Sequence, residues 1–227
     1  MIHPKSRFLN IRLFTIVAAM LPGMAFAQWR VGVNAGASCN HYIIDRHYQT
    51  DYQYKDRWGV TLGVMGQYDF SDWLGIRAEL DWTQKNYRHT REIDRAWNYR
   101  YVNNYLQLPI MASFSVGGKK LRGVFNAGVY GGYWLNSSRE GFDYNNFTGK
   151  VYNISETVAF NSERDQRLDF GFVGGAGMEY RFAKRWAAQV ELRYYYSCVS
   201  TQKDYTGFSD SRYHATLALQ AGVWYLF

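Results

Sequence analysis

The chain has 227 residues, of which 19% are aromatic and 20% charged, with 20 Tyr and 8 Trp. Its formal net charge is +7, but Lys5, Arg7 and Arg12 supply three of those charges ahead of the first apolar run, and the other basic residues are dispersed among acids. Dispersal argues against the basic face or stripe of a nucleic-acid binder, and the length suits one domain.

The first twelve residues carry three basic groups and no acid, and an apolar run from Leu13 to Ala25 ends in Ala25-Phe26-Ala27. The run is shorter than the roughly 20 residues that span a bilayer, and small residues stand where a signal peptidase cuts. The expectation is a signal peptide over 1–27 and an outer-membrane β-barrel domain over 28–227. No later segment could be a transmembrane helix, so an exported chain this aromatic and this polar on average fits a barrel whose lipid-facing and lumen-facing residues alternate.

Alternation of period two is the main signal. A first strand is predicted over about Trp29 to Tyr42. In the second, Trp58, Val60, Leu62, Val64, Gly66, Tyr68 and Phe70 alternate with Gly59, Thr61, Gly63, Met65, Gln67 and Asp69. The third alternates Leu74, Ile76, Ala78, Leu80 and Trp82 with Gly75, Arg77, Glu79, Asp81 and Thr83. Strands four and five are expected over Asn98 to Val116 and Leu121 to Asn136. The sixth, Phe170 to Phe182, and the seventh, Trp186 to Ser197, again put apolar residues opposite Gly, Glu, Gln and Arg. The eighth runs from Tyr213 to Phe227. The prediction is an all-β, eight-stranded antiparallel up-and-down transmembrane β-barrel.

The connections alternate in length. Ser71-Asp72, Gly117 to Lys120 and Ala183 to Arg185 read as tight turns, whereas segments near 43–57, 90–98, 137–167 and 201–212 are longer and polar. Short turns belong on the periplasmic side and long loops outside, so both ends of the mature chain are expected in the periplasm. Aromatic girdles are expected at both strand ends, with Trp29, Phe70, Trp73, Phe114, Phe182, Trp186, Tyr225 and Phe227 at one, and Tyr42, Trp58, Tyr101, Trp134, Tyr196 and Tyr213 at the other. A soluble lipocalin-like barrel would need a charged outer face; here the charges share a face with glycines, as in a narrow lumen.

Three segments, Trp29-Arg-Val-Gly-Val-Asn-Ala-Gly36, Asn104-Tyr-Leu-Gln-Leu-Pro-Ile-Met-Ala112 and Asp169-Phe-Gly-Phe-Val-Gly-Gly-Ala-Gly177, resemble the PorT-like outer-membrane β-barrel family. The resemblance implies a fold and a location more than an activity. The family's namesake acts in assembly of the type IX secretion system, which makes an envelope or secretion-system protein a possible partner. Pro109 is expected to cause a local bulge or bend, because proline breaks a ladder bond. The last strand also resembles the signal read by the barrel-assembly machinery, with Leu219, Ala221, Val223, Tyr225 and terminal Phe227 on one face.

By alternation Arg77, Glu79, Asp81, Glu179, Arg181, Glu191 and Arg193 point inward as a lumen charge network, and adjacent strands six and seven should group the last four. An eight-stranded interior is only about wide enough for side chains, which favours a plug over a pore. His3, His41, His47, His89 and His214 show no metal spacing, so neither a metal nor any cofactor is expected. Ser211 and His214 fall on opposite faces, which argues against a nucleophile–base pair. Cys39 and Cys198 lie on strands that flank the eighth, too far apart for a bond, and are expected as free thiols. The loop 137–167 reads either as a binding surface, since long loops on a rigid scaffold are where binding usually resides, or as a surface shield with no ligand, and the sequence does not choose between them. The expectation is a non-enzymatic integral outer-membrane protein, held in outer-membrane lipid, with a structural, surface-recognition or secretion-assembly role; a lipid-A-modifying enzyme and a small-solute channel are the alternatives.

Overall fold

The computed structural model describes residues 28–45, 52–91, 98–145, 147–203 and 211–227. The expected signal peptide lies outside the described residues. Among the described residues ten strands form: β1 (Gln28–Asp45), β2 (Tyr52–Asp69), β3 (Leu74–Gln84), β4 (Tyr87–Arg91), β5 (Asn98–Gly117), β6 (Leu121–Asn145), β7 (Lys150–Thr157), β8 (Leu168–Ala183), β9 (Trp186–Ser197) and β10 (Ser211–Leu226). They give a closed antiparallel ring of eight positions, in which β3 and β4 share one position and β7 stands outside. Closure comes from β1 and β10, which pair from Arg30↔Leu226 to Asp45↔Ser211.

Period two decides the faces. Val33, Leu62, Val64, Ile76, Leu80, Leu108 and Leu192 are exposed on the outer wall, while Arg77, Glu79, Gln107, Glu179, Glu191 and Arg193 are buried inside. In water this would invert the usual burial rule; in a bilayer the outer apolar belt is solvated by lipid and the polar interior must satisfy itself. Leu219, Ala221, Val223 and Phe227, expected from sequence to form an assembly signal, are on the outer wall, with Tyr225 stacked edge-on between Trp186 and Phe227. Trp29, Trp73, Trp186 and Phe227 are exposed at the short-turn end. At the other end Trp58 and Tyr196 face outward, but Tyr42 is buried and Tyr101 and Trp134 line an inner cup. Those three are therefore corrected from girdle to interior. Tyr42 shares the inward parity of Ser38 and Asn40, which aromatic content alone had masked.

Three further departures have physical causes. The strands continue beyond the expected loop boundaries, with β4 at 87–91 and β7 inside the predicted loop 137–167. Above a membrane both faces of a strand meet water, so the apolar alternation that marks a strand fades there. Second, the bulge expected at Pro109 is absent: the β5–β6 irregularity falls at Asn104/Tyr105, and Pro109 pairs with Tyr130 in regular register. On its other edge the ladder to β3 lapses between Ile110 and Gln107 and resumes in the same register, as expected of a residue without an N–H. Third, between Thr61↔Thr83 and Asp56↔Tyr87 β2 advances five residues and its neighbour four. That bulge is held by side chains, with Asn86 donating to the Trp58 carbonyl (2.9 Å) and Ser38 to that of Gln84 (2.7 Å).

Two glycines make room for charge. A Cβ on Gly175 would strike the Glu191 carboxylate and come within 2.8 Å of Arg193 Cγ, and one on Gly63 would strike the Asp81 carboxylate. Gly117 opens the β5–β6 turn at φ 138°, a conformation open to glycine. Gly175→Val is expected to lower unfolding stability in detergent by about 1–3 kcal/mol, read as a shifted urea midpoint by heat-modifiable gel mobility; an unchanged midpoint would show that the lumen yields at this point.

Candidate functional site

The interior is built in layers. At the short-turn end Arg30 bonds Asp69 (3.1 Å) and Glu179 (2.5 Å), while Arg181, part-exposed, leans on the same Glu179 at 3.4 Å. The Trp224 ring sits between two guanidiniums, 5.0 Å from Arg30 and 4.8 Å from Arg77, and its indole N–H donates to Gln189 at 2.6 Å. Cation–π contact of this kind strengthens when desolvated.

The middle layer is a closed circuit of four charges. Arg193 grips Glu79 with both Nη atoms (2.7 and 2.8 Å) and Glu191 through Nε (2.8 Å); Arg77 bonds the same two carboxylates, reaching Glu191 at 3.2 Å. Glu191 also accepts from Asn126 (2.8 Å) and Gln189 (2.7 Å). Because β3 and β9 stand four positions apart around the ring of eight, the circuit crosses the full width of the lumen. Each buried ion costs several kcal/mol unless paired, and here two cations are paired with two anions. Asp81, alongside, accepts from Asn34 at 3.2 Å. The remaining cavity at this level is about 10 Å³, lined by Asn34, Met65, Arg77, Glu191, Arg193 and Gln220, room for about one water.

The grouping within the network thus differs from the sequence expectation. Glu191 and Arg193 reach across the lumen to Arg77 and Glu79, whereas Glu179 on the adjacent strand bonds Arg30 and is in turn contacted by Arg181. Neighbouring strands are stepped along the barrel axis, so groups on adjacent ladders fall at different heights.

Above an apolar layer of Met111, Tyr130, Val173, Tyr195 and Ala218 lies a second ion pair, Lys85–Asp169 at 2.6 Å. Ser197 (2.6 Å) and Tyr130 (3.2 Å) also donate to Asp169, and the Lys85 ammonium lies 4.9 and 5.0 Å from the rings of Tyr105 and Tyr130. His214 completes this level, its ring nitrogens taken up by Asn40 (3.1 Å) and Tyr105 (3.3 Å). Arg30, Lys85 and Asp169 were missed from sequence although parity marks all three: Arg30 alternates with Val31, Lys85 stands two beyond Thr83, and Asp169 precedes outward Phe170.

This layer floors a cup of about 520 Å³ at the long-loop end. Its wall carries Tyr42 stacked on Tyr87 (4.4 Å, 6°) and Tyr87 on Tyr101 (4.8 Å, 17°), with Trp134 against Phe160 (4.8 Å). Between the rings stand Arg139, Arg164 and Arg212, with Glu156 and Asp165, and Tyr42 shares a hydrogen bond with Thr201 at 2.9 Å. β7 and the segment after it, within the predicted loop 137–167, form one side of the cup. Cys39 and Cys198 are both free. Among the described residues no three His, Cys, Asp or Glu side chains group as a metal site.

Lys85→Met strands the Asp169 carboxylate in the lumen and is expected to destabilise by about 3–5 kcal/mol. Lys85→Met combined with Asp169→Leu should recover most of that loss in the same urea titration. A single variant as stable as wild type would show that water reaches Asp169.

Residues 26–201 match the model of a family described as outer membrane protein beta-barrel domain. No protein with a curated description matches in sequence. Among solved structures the chain is similar to Neisserial surface protein A at 13% identity, covering 88% of this chain and 99% of that one with a TM-score of 0.49. OprG from Pseudomonas aeruginosa aligns at 12% identity over 88% and 95% with a TM-score of 0.48. Ail, the attachment invasion locus protein of Yersinia pestis, aligns at 12% identity over 86% and 98% with a TM-score of 0.40. With the family model matched across most of its length, the chain belongs to the outer-membrane β-barrel domain family.

Proposed function

We propose that this protein is a non-enzymatic surface-recognition barrel: an up-and-down transmembrane wall whose filled lumen is a rigid support, and whose cup at the long-loop end is the contact site. One observation carries the reading, the open 520 Å³ cup standing over a floor of paired buried charges. The volume falls within the range of small-ligand sites, and stacked tyrosines interleaved with guanidiniums suit a polar ligand with a flat face, such as a saccharide. The long-loop end is read as the exterior one, because outer-membrane barrels in general have short periplasmic turns and longer external loops.

The chain reaches this state after cleavage near Ala27, and the C-terminal strand from Leu219 to Phe227 is the part offered to the barrel-assembly machinery. A PorT-like role in secretion assembly remains compatible with the same architecture, since a closed barrel with a shaped outer face can dock a machine component.

Planar-bilayer recording separates this reading from a channel. Wild-type protein is expected to insert without unitary conductance at neutral pH, because the lumen at the Arg77–Glu79–Arg193–Glu191 level holds about one water. Steady single-channel steps from folded, heat-modifiable protein would contradict it. Incubation with lipid A followed by mass analysis tests the enzyme alternative, and a modified lipid dependent on folded protein would overturn the reading.

A further inference from the structure

Among the described residues, β7 is the one strand outside the closed ring. It pairs with β6 alone, from Ser138↔Thr157 to Asn145↔Lys150, while β6 is paired over the same stretch with β5 from Asn98↔Phe142 to Val102↔Ser138. Seven of its eight residues are exposed, and no described strand pairs with its second edge. Natural sheets blunt such edges with inward charges, proline or bulges. Lys150-Val-Tyr-Asn-Ile-Ser-Glu-Thr157 has its charges only near the ends, contains no proline and pairs with β6 without a register shift.

The ladder fixes which groups the edge presents. The Val158 N–H donates to the Ser137 carbonyl at 2.9 Å, directly opposite in the β6–β7 register. Hydrogen-bonded and non-hydrogen-bonded pairs alternate in an antiparallel ladder, so Glu156, Ile154, Tyr152 and Lys150 bond toward β6. The N–H and C=O groups of Val151, Asn153 and Ser155 therefore point out from the edge.

The segment is complementary to itself. In an antiparallel pair of two copies centred on Asn153, Val151 faces the second copy's Ser155 and both supply outward backbone groups. On the other face Tyr152 meets Ile154 and Lys150 meets Glu156. Aromatic with β-branched and cation with anion are the cross-strand pairs that stabilise sheets. Glu156 already contacts Arg139 on β6, so it would lie between two cations. Shifting the register by two residues in either direction loses the Lys150–Glu156 match.

We infer that β7 is a homophilic edge that joins two copies of this protein in facing membranes. Strands of such barrels tilt about 35–45° from the barrel axis. A two-fold axis along the membrane normal, as between neighbours in one membrane, would leave two β7 strands about 70–90° apart, by the same tilt. An axis in the membrane plane reverses the strand direction and brings the pair antiparallel. Each contact adds only a few backbone bonds, and many contacts between two surfaces multiply it. The inference rests on the long-loop end facing outward, which protease shaving at Lys150 on intact cells tests separately.

The experiment uses full-length protein reconstituted into two vesicle populations carrying different fluorophores, with two-colour coincidence as the readout. Wild-type vesicles are expected to cluster across colours. Asn153→Pro removes one outward N–H and no bond to β6, and should cut coincidence at least tenfold while heat-modifiable mobility stays intact. Lys150→Glu should also reduce clustering, and Lys150→Glu with Glu156→Lys should restore it. Dispersed wild-type vesicles, clustering unaffected by Asn153→Pro, or energy transfer confined to copies within one membrane would each overturn the proposal.

Discussion

Everything inside this barrel follows from the circuit of Arg77, Glu79, Glu191 and Arg193. A ring of eight strands leaves room for side chains and little else, and lipid outside forbids polar groups on the wall's outer face. The polar residues of all eight positions therefore converge on one narrow interior, where an unpaired charge costs several kcal/mol. The circuit meets that constraint by setting two guanidiniums against two carboxylates across the widest span of the lumen. Gly175 and Gly63 are small because large ions occupy the space beside them. Trp224 covers the circuit from below, and the Tyr130–Tyr195 layer covers it from above.

This arrangement separates support from contact. Between the Arg30 layer and the Lys85–Asp169 layer the interior is filled and cross-braced by side chains that hold opposite walls together. Beyond Lys85 the side chains stop meeting across the lumen and the space opens into the cup. The strands there rise past the apolar belt, and β4 and β7 extend the wall into a region where both faces meet water. Loops on a rigid scaffold are where binding chemistry is commonly placed, and under the proposed recognition role the strands themselves would carry part of that surface.

The wall was legible in the sequence because period-two alternation survives wherever one face meets lipid and the other a packed lumen. The seven lumen charges, Arg77 through Arg193, were readable for the same reason, and Arg30, Lys85 and Asp169 obey the same parity. What alternation does not carry is height. It told that Glu191 and Arg193 point inward but not that they meet β3 across the lumen, since strand stagger is a property of the closed ring. The upper strands were hidden for another reason: Tyr52 to Asp56, Tyr87 to Arg91 and Lys150 to Thr157 lie where neither face is buried in lipid, so their composition reads as loop. Tyr42 and Trp134 were misplaced as girdle residues because aromatic rings serve both a membrane interface and a polar cup.

A double-mutant cycle on Glu79 and Arg193 tests the central claim most directly. Glu79→Gln, Arg193→Met and the combined variant would be unfolded in urea from detergent or bilayer and their stabilities compared. Each single change should be strongly destabilising, and the double should cost clearly less than the sum, with a coupling of about 1.5–3 kcal/mol, near the upper part of the range for contacting residues. Additive losses would contradict the account, because they would mean that the two groups are solvated separately and that the circuit does not hold the opposite walls together.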